Sequence, residues 1–220
     1  RTFVDRLIEL DEVEFRDDPV PLTALSAIIE TAPKAVLFKN AGPEHLELIA
    51  KAAAGRSRIC AAFETTDEGI YDAFDNRMAN PHEVVEIPSD EAPVHAVKIT
   101  GGDVDLTRLP FHPQHEFDGS CYISAAIDFT VDPATGRTNV GSRRLSLRNR
   151  TQTGTNVTAP SDLKRIYEGC VARGEPLPIT FTVGNHPLDF YAATTRLPGD
   201  ELNFIATLRG ETAPVVKGLT

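Results

Sequence analysis

The chain contains 220 residues and carries a formal net charge of -10, with 41% hydrophobic and 25% charged residues. This length suits one large domain or two modest ones with cores of their own, and the composition is ordinary for a globular protein. The negative charge argues against a general nucleic-acid-binding protein, which needs a basic face. The sequence has no apolar run long enough to predict a membrane-spanning helix.

The three cysteines, Cys60, Cys121 and Cys170, are odd in number and lie far apart. They predict reduced thiols in a cytoplasmic protein rather than a disulfide framework. None belongs to a C-x-x-C pair, so a thiolate zinc site is not expected. The opening residues, RTFVDRLIEL, do not resemble a signal peptide, which agrees with the same prediction.

Residues 1 to 102 alternate between segments typical of helices and segments typical of strands, which predicts an N-terminal α/β domain. The predicted helices are RTFVDRLIEL, PLTALSAIIETAP with Thr23 as its cap, GPEHLELIAKAAAG ending at Gly55, and DEGIYDAFDNRMANP. The predicted strands are KAVLFKN and SRICAAF.

Residues 103 to 220 have a different character, and the boundary is marked by Gly101 and Gly102. The segments YISAAIDFTVD and NVGSRRLSLRNR predict a hairpin around the turn DPATGRT, and further strands are predicted at EPLPITFTVGN and ELNFIATLRG. Strands with one or two inserted helices favour a small barrel. The fold class predicted for the whole chain is therefore α+β.

One helix in the second half has clear boundary signals. In PSDLKRIYEGCVARGE, Ser161 can cap the first turn and Gly174 can end the last. The helical spacing predicts a buried stripe formed by Leu163, Ile166, Tyr167, Cys170 and Val171.

The predicted strand NVGSRRLSLRNR is unusually rich in arginine, and alternation along it places Ser142, Arg144, Ser146, Arg148 and Arg150 on one face. A cationic face of this kind can receive phosphate or carboxylate groups, for which the guanidinium fork is well shaped. A solvated outer face of a strand explains the same pattern. The pattern alone leaves both interpretations open.

Three oxygen-bearing side chains could meet near this strand: Asn139, Asp162 and Glu201. Together they would suit a hard cation such as magnesium or manganese. An acid in the first turn of a helix is also favourable for the helix dipole, which accounts for Asp162 without a metal. Glu201 could equally be a solvated loop acid.

Two ordered motifs resemble the UbiD family of prenylated-flavin-dependent decarboxylases. The segment DGSCYISAAIDFTVDPATGRTNVGSRR is similar to the family's extended strand, D-P-x-T-G turn and N-x-G-x-x-R motif. The segment GEPLPITFTVGNHPLDFYAATTRLPGDELNFIATLRG is similar to a later strand, helix, L-P turn and E-x-x-x-A-x-L-R-G. The similarity is clear from about Asp103 to Lys217.

The resemblance implies a split β-barrel of flavin-reductase-like type over residues 103 to 220 that binds prenylated FMN with Mn²⁺ or Mg²⁺, and K⁺ as a further candidate. Asn139 and Glu201 fall on metal-binding positions, and Asp162 falls where some members have a metal-binding histidine. Arg144 falls on the arginine that steers the substrate carboxylate. The implied cofactor-binding set is Asn139, Val140, Gly141, Ser142, Arg143, Arg144, Ser161, Asp162 and Glu201.

Asn139 and Arg144 have opposite parity along the strand, so both can address one cofactor only if the strand is irregular. We predict a bulge or kink near Gly141, because glycine permits one.

The implied activity is reversible decarboxylation of a small aromatic or α,β-unsaturated carboxylic acid, with a flavin prenyltransferase supplying the cofactor. The family's catalytic acid lies on a segment after L-R-G, followed by a C-terminal domain, and neither is found here. The chain is therefore expected to be inactive alone, as a fragment or as a subunit of a homo-oligomer or hetero-oligomer. A non-catalytic structural subunit is the main alternative.

Overall fold

The computed structural model describes residues 1–197 and 199–219, which group into two compact units. The first unit comprises Arg1–Glu68, Gly102–Ser124 and Arg144–Thr155, and the second comprises Gly69–Gly101, Ala125–Arg143 and Asn156–Thr220. Both units are therefore discontinuous in sequence. The predicted division into an N-terminal and a cofactor-binding domain near residue 102 stays a prediction.

Helices and strands are interspersed along the chain. The helices are α1 Thr2–Glu9, α2 Leu25–Thr31, α3 Arg56–Ala62, α4 Ile70–Ala79, α5 Asp162–Arg173, α6 Pro187–Ala193 and α7 Glu201–Arg209. The strands are β1 Val13–Arg16, β2 Ala35–Ala41, β3 Leu46–Ala50, β4 Val84–Glu86, β5 Tyr122–Val131, β6 Thr138–Leu147, β7 Thr153–Gly154, β8 Thr180–Val183 and β9 Ala213–Val215. Short 3-10 turns occur at Leu22–Ala24, Pro93–His95, Gly101–Asp103 and Leu106–Arg108.

The core of the first unit is a three-stranded sheet in the order β1-β2-β3, with β1 parallel and β3 antiparallel to β2. Strand β2 is central and apolar on both faces, because side chains alternate across it. Val36 and Phe38 pack in a cluster with Leu25 of α2, while Leu37 packs in a second cluster with Leu7 of α1. The confirmed helix RTFVDRLIEL and strand KAVLFKN owe their positions to these two clusters.

Two predictions in the first unit are wrong. The segment GPEHLELIAKAAAG contains strand β3, because its apolar residues pair antiparallel with β2 instead of forming a helical face. The segment SRICAAF is helix α3, since short apolar runs carry too little periodicity to distinguish the two. Thr23 lies in the 3-10 turn that precedes α2, and no side chain caps α2.

Helix α7 also corrects a predicted strand, ELNFIATLRG. The Asp200 side chain accepts hydrogen bonds from the backbone N–H groups of Leu202 and Asn203, and Gly210 ends the helix in the left-handed conformation. These are the ordinary start and stop signals of a helix. Five consecutive residues inside it, Phe204 to Leu208, are buried, which shows that most of the helix circumference is covered.

Helix α5 confirms its predicted boundaries. The Ser161 hydroxyl accepts a hydrogen bond from the Lys164 N–H at 3.2 Å, and Gly174 ends the helix at φ 71°. The predicted stripe is correct for the three residues that are buried and wrong for Tyr167 and Val171, which are 48% and 55% exposed. The amphipathic face is therefore narrower than the spacing predicts.

A four-stranded sheet has the order β7-β6-β5-β8, and a two-stranded parallel sheet joins β4 and β9. Among the described strands none closes a sheet into a barrel. The α+β class is confirmed, whereas the split barrel of flavin-reductase-like type is not. Residues 1–197 and 199–219 contain no helix with the length and apolarity needed to cross a membrane. The three cysteines are free.

The β5–β6 hairpin confirms the predicted turn, whereas the irregularity predicted near Gly141 stays a prediction. The Asp132 N–H donates to the carbonyl of Arg137 at one end of the hairpin, and the Leu147 N–H donates to the carbonyl of Cys121 at the other. These bonds are eleven residues apart along β5 and ten residues apart along β6. The net extra residue therefore belongs to β5.

Helix α6 begins at a half-buried histidine. The Nδ1 atom of His186 accepts a hydrogen bond from the Leu188 N–H at 3.2 Å, and Asp189 accepts one from the His186 N–H at 3.2 Å. Burial, with a smaller contribution from the charge of Arg209, lowers the pKa of His186 to about 4. Protonation of Nδ1 would also remove the acceptor that caps the helix.

We expect His186 to make the folded state sensitive to acid. The pKa of His186 is lower in the folded state than in the unfolded state. Its contribution to the free energy of unfolding is therefore complete above pH 6.5 and is lost as the pH falls towards 4. The variant His186→Asn keeps a capping acceptor but cannot be protonated in this range. Its free energy of unfolding should therefore fall by about 1–2 kcal/mol less than that of the wild type when the pH is lowered. Urea unfolding of both proteins at pH 7 and pH 4.5 measures the difference; parallel losses would contradict the assignment.

Candidate functional site

A cavity of about 340 Å³ in the second unit brings together four separate stretches of the chain. Strand β6 forms one wall, the N-terminus of α5 forms another, and the segment after α6 and the start of α7 complete it. The lining residues are Asn139, Val140, Gly141, Ser142, Arg143, Pro160, Ser161, Asp162, Leu163, Ala193, Thr194, Thr195, Arg196 and Glu201.

Eight of the nine residues predicted to bind the cofactor line this cavity. The ninth, Arg144, belongs to the first unit, and its role stays a prediction. Sequence reasoning missed Thr194, Thr195 and Arg196, which follow α6. A polar run directly after a helix and before a Pro-Gly pair in the sequence was the available signal, and such runs are common in ordinary loops.

Glu201 is bound to strand β6 by two hydrogen bonds. Its Oε2 atom accepts one from the Asn139 side-chain amide at 2.8 Å and one from the Val140 backbone N–H at 2.7 Å. Asp200 adds a third link, because its Oδ2 accepts from the Thr138 N–H at 3.2 Å. The start of α7 is thereby fixed against the strand that carries the N-x-G-x-x-R motif.

Asn139 and Glu201 form an oxygen-rich corner of the cavity. The Oδ1 atom of Asn139 is buried and has no hydrogen-bond partner among the described residues. Such an atom is costly to bury without a ligand. An amide oxygen beside a carboxylate is a donor set that suits a hard divalent cation, so these two residues fit the metal that the resemblance implies.

Asp162 does not complete a protein-only metal site. Its Oδ2 atom accepts a hydrogen bond from Arg196 at 3.2 Å, and its Oδ1 atom lies 3.7 Å from Nε of Arg165. Its carboxylate is therefore engaged with guanidinium groups. Within the described residues, no three His, Cys, Asp or Glu side chains are grouped so as to hold a metal ion. A cation at Asn139 and Glu201 would need further ligands from a bound molecule or from water.

Arg143 and Asp128 form an ion pair behind the cavity wall. Nε of Arg143 lies 3.0 Å from Oδ1 of Asp128, whose side chain is fully buried in β5. The two groups are close but not aligned as a hydrogen bond. Burial raises the pKa of the Asp128 carboxyl, and the charge of Arg143 opposes that shift.

Gly141 leaves the space that this ion pair occupies. A Cβ atom at this position would lie 2.9 Å from Oδ1 of Asp128 and 3.3 Å from a terminal nitrogen of Arg143. The glycine of the N-x-G-x-x-R motif is therefore required here for close approach.

Two arginines of the predicted cationic face, Arg144 and Arg150, have separate environments in the first unit. The guanidinium carbon of Arg144 lies 4.6 Å from the centre of the Tyr122 ring, a cation–π distance. Arg150 pairs with Asp105 at 3.1 Å, and its carbonyl accepts from the Leu106 N–H. The arginine-rich strand is thus not a single anion-binding surface.

Residues 85–220 match the family model described as 3-octaprenyl-4-hydroxybenzoate carboxy-lyase Rift-related domain, UbiD. The chain belongs to the UbiD family. Curated relatives agree with this assignment. The chain is 27% identical over 212 residues to an anhydromevalonate phosphate decarboxylase of Methanosarcina mazei, which covers 96% of this chain and 48% of that protein. It is 34% identical over 114 residues to a phenolic acid decarboxylase of Sedimentibacter hydroxybenzoicus, which covers 49% of this chain and 24% of that protein.

Solved UbiD-class structures have the same fold. The enzyme HmfF from Pelotomaculum thermopropionicum in complex with FMN matches with a TM-score of 0.92 and 26% identity, over 100% of this chain and 50% of that one. An evolved dimeric form of HmfF in complex with prFMN also matches at a TM-score of 0.92 and 26% identity, over 100% of this chain and 52% of that one. The UbiD-family chain described here spans about half the length of the first relatives it matches.

We expect Gly141→Ala to destabilise the protein by about 1–3 kcal/mol, because the methyl group would overlap the Asp128–Arg143 ion pair. Gly119→Ala is the matched control, since no atom lies within 4 Å of its would-be Cβ. The control should change the free energy of unfolding by no more than about 0.5 kcal/mol. Urea unfolding of both variants measures this, and equal effects would contradict the role given to Gly141.

Proposed function

We propose that this chain is the cofactor-binding portion of a UbiD-like enzyme that reversibly decarboxylates an aromatic or α,β-unsaturated acid with prenylated FMN and a divalent metal. The observation that carries the proposal is the second-unit cavity, where the unpartnered oxygen of Asn139 lies beside Glu201. Residues 103–220 are proposed as the cofactor-binding domain, with the arrangement of a split flavin-reductase-like barrel.

The cavity offers groups of two kinds for the phosphate of such a cofactor. Asn139 and Glu201 would hold the divalent cation, Mn²⁺ or Mg²⁺, through their oxygen atoms. Ser161 and the N-terminus of α5 line another part of the cavity, where backbone N–H groups favour an anion. Arg143 and Arg196 add guanidinium groups to the same lining.

Arg144 is proposed to orient the substrate carboxylate. A guanidinium group can form two parallel hydrogen bonds with a carboxylate, which fixes both the distance and the plane of the substrate. The Tyr122 ring supports one face of the guanidinium and leaves its N–H edge for the ligand. The cofactor, when bound, supplies the electron-accepting chemistry of the reaction.

The names of the relatives support the carboxy-lyase activity. The matched proteins include decarboxylases of anhydromevalonate phosphate and of phenolic acids. We assign no proton donor to this chain, and we propose that the donor belongs to a further segment or a partner subunit. Turnover then requires that remainder together with a flavin prenyltransferase as the source of the cofactor.

We expect the chain to bind FMN more tightly when Mn²⁺ is present, because Glu201 and Asn139 would hold a positive charge that attracts the phosphate. Glu201→Gln should weaken the Mn²⁺-dependent affinity by about tenfold. Glu168→Gln on the outside of α5 is the control and should leave it unchanged. Flavin fluorescence titrations with and without Mn²⁺ provide the measurement. Wild-type protein that retains no flavin under either condition would refute the cofactor assignment.

In the complete enzyme, Arg144→Met should lower kcat/KM by about 10- to 100-fold, the loss expected for hydrogen bonds to a charged group. Binding of FMN should be unaffected, since the proposed partner is the substrate. Arg137→Met in the exposed hairpin turn is the control. Full activity in the Arg144 variant would favour a structural subunit over a catalytic one.

A further inference from the structure

Asp128 is a fully buried carboxylate in the middle of β5. Neither of its oxygen atoms has a hydrogen-bond partner among the described residues. A buried ionised carboxylate without hydrogen bonds is strongly unfavourable unless a nearby charge compensates for it. Its only ion-pair partner among those residues is Arg143, whose Nε lies 3.0 Å from Oδ1.

Asp132, at the end of the same hairpin, shows what a structural carboxylate looks like in this protein. It accepts hydrogen bonds from the Ala134 N–H at 2.9 Å and from Arg165 at 2.9 Å, and it anchors the turn. These interactions keep the pKa of Asp132 below its ordinary value. Asp128 anchors no turn and caps no helix, so its burial calls for a different explanation.

Arg143 connects this buried charge to the cavity. Its side chain is 21% exposed and lines the cavity beside Asn139 and Ser142. Apart from the ion pair with Asp128, its one side-chain hydrogen bond within the described part of the chain is a long one of 3.5 Å to the Ser142 carbonyl. Much of its hydrogen-bonding capacity is therefore left for a ligand, since a guanidinium has five N–H donors.

Arg143 differs from Arg196, the other arginine that lines the cavity, in where its carboxylate partner lies. Arg196 is 80% exposed and pairs with Asp162, whose carboxylate lines the cavity itself. The carboxylate paired with Arg143 instead lies in the interior of the sheet. The partner of Arg143 therefore lies outside the cavity. A ligand in the cavity can bind Arg143 without breaking its ion pair with Asp128.

We propose that Asp128 is a positioning residue that holds Arg143 in place as an oxyanion-binding group in the cavity wall. The ligand class is an oxyanion, either a phosphate or a carboxylate. Its identification as part of a flavin cofactor rests on the proposed function. Gly141 belongs to the same arrangement, because a side chain there would meet both partners.

Flavin binding by the 220-residue chain tests this proposal, with FMN as the phosphate-bearing probe and riboflavin as the probe without phosphate. Asp128→Asn should weaken FMN binding by about tenfold, as loss of a supporting partner does at other ligand sites. Riboflavin binding should not change. A decrease in FMN affinity would distinguish a positioning role from a purely electrostatic effect, because removing a negative charge would by itself strengthen anion binding.

Asp189→Asn is the matched control. Asp189 is another carboxylate of the second unit whose pKa is raised by burial; it lies 3.5 Å from Arg209, and neither residue lines the cavity. This variant should keep FMN affinity. If both variants lose FMN affinity equally, or if Asp128→Asn keeps or gains affinity for both FMN and benzoate, the proposal is overturned.

Circular dichroism would show whether Asp128→Asn folds. If it does not, Arg143→Lys tests the proposal instead. This variant keeps the charge and loses the guanidinium fork, so FMN affinity should fall by about 10-fold while riboflavin affinity stays. Unchanged affinity for FMN and for benzoate would overturn the proposal.

Titration calorimetry with inorganic phosphate and with benzoate separates this inference from the proposed function. If wild-type protein binds no flavin but binds either anion in an Arg143-dependent way, the flavin assignment fails and the oxyanion site stands. If FMN binds but Arg143→Lys weakens only benzoate, the ligand group is a carboxylate. Wild-type protein that binds none of the four probes refutes both proposals.

Discussion

The two hydrogen bonds that the Glu201 carboxylate accepts from Asn139 and Val140 are the constraint on which the second-unit site depends. They join the first turn of α7 to β6, and so determine where the α7 wall of the cavity lies relative to the motif strand. They also engage the amide nitrogen of Asn139, which leaves its oxygen as the atom directed to other partners. One interaction therefore both shapes the cavity and produces the oxygen-rich corner proposed for the metal.

Three aspartates of the second unit show how the environment of a carboxylate separates structural from functional roles. Asp132 is satisfied by a backbone N–H and Arg165, which is the pattern of a turn anchor. Asp162, at the start of α5, forms ion pairs with the exposed Arg165 and Arg196. Asp128 has a guanidinium neighbour and no hydrogen bonds, an arrangement that seldom favours stability by itself.

Local signals in the sequence predicted the elements whose boundaries depend on local chemistry. Ser161 and Gly174 bound α5 as expected, and the D-P-x-T-G turn forms where the motif places it. The strand predicted at ELNFIATLRG failed because burial on nearly all sides removes helical periodicity. Glu201 was still identified as a site residue, since the order of motifs does not depend on the element that carries it. Asp128 gave no signal, because its significance arises only from a neighbour fifteen residues away.

The register of the β5–β6 hairpin determines the surroundings of two adjacent arginines, Arg143 and Arg144. Arg143 lies beside Asp128 in the second unit, and Arg144 stacks on Tyr122 in the first. Consecutive side chains of a strand point to opposite faces, so a slip of one residue would exchange the two guanidinium groups. The Asp132 turn and the net extra residue on β5 fix that register. The pairing of the strands, more than the number of arginines, therefore determines which of them meets which ligand.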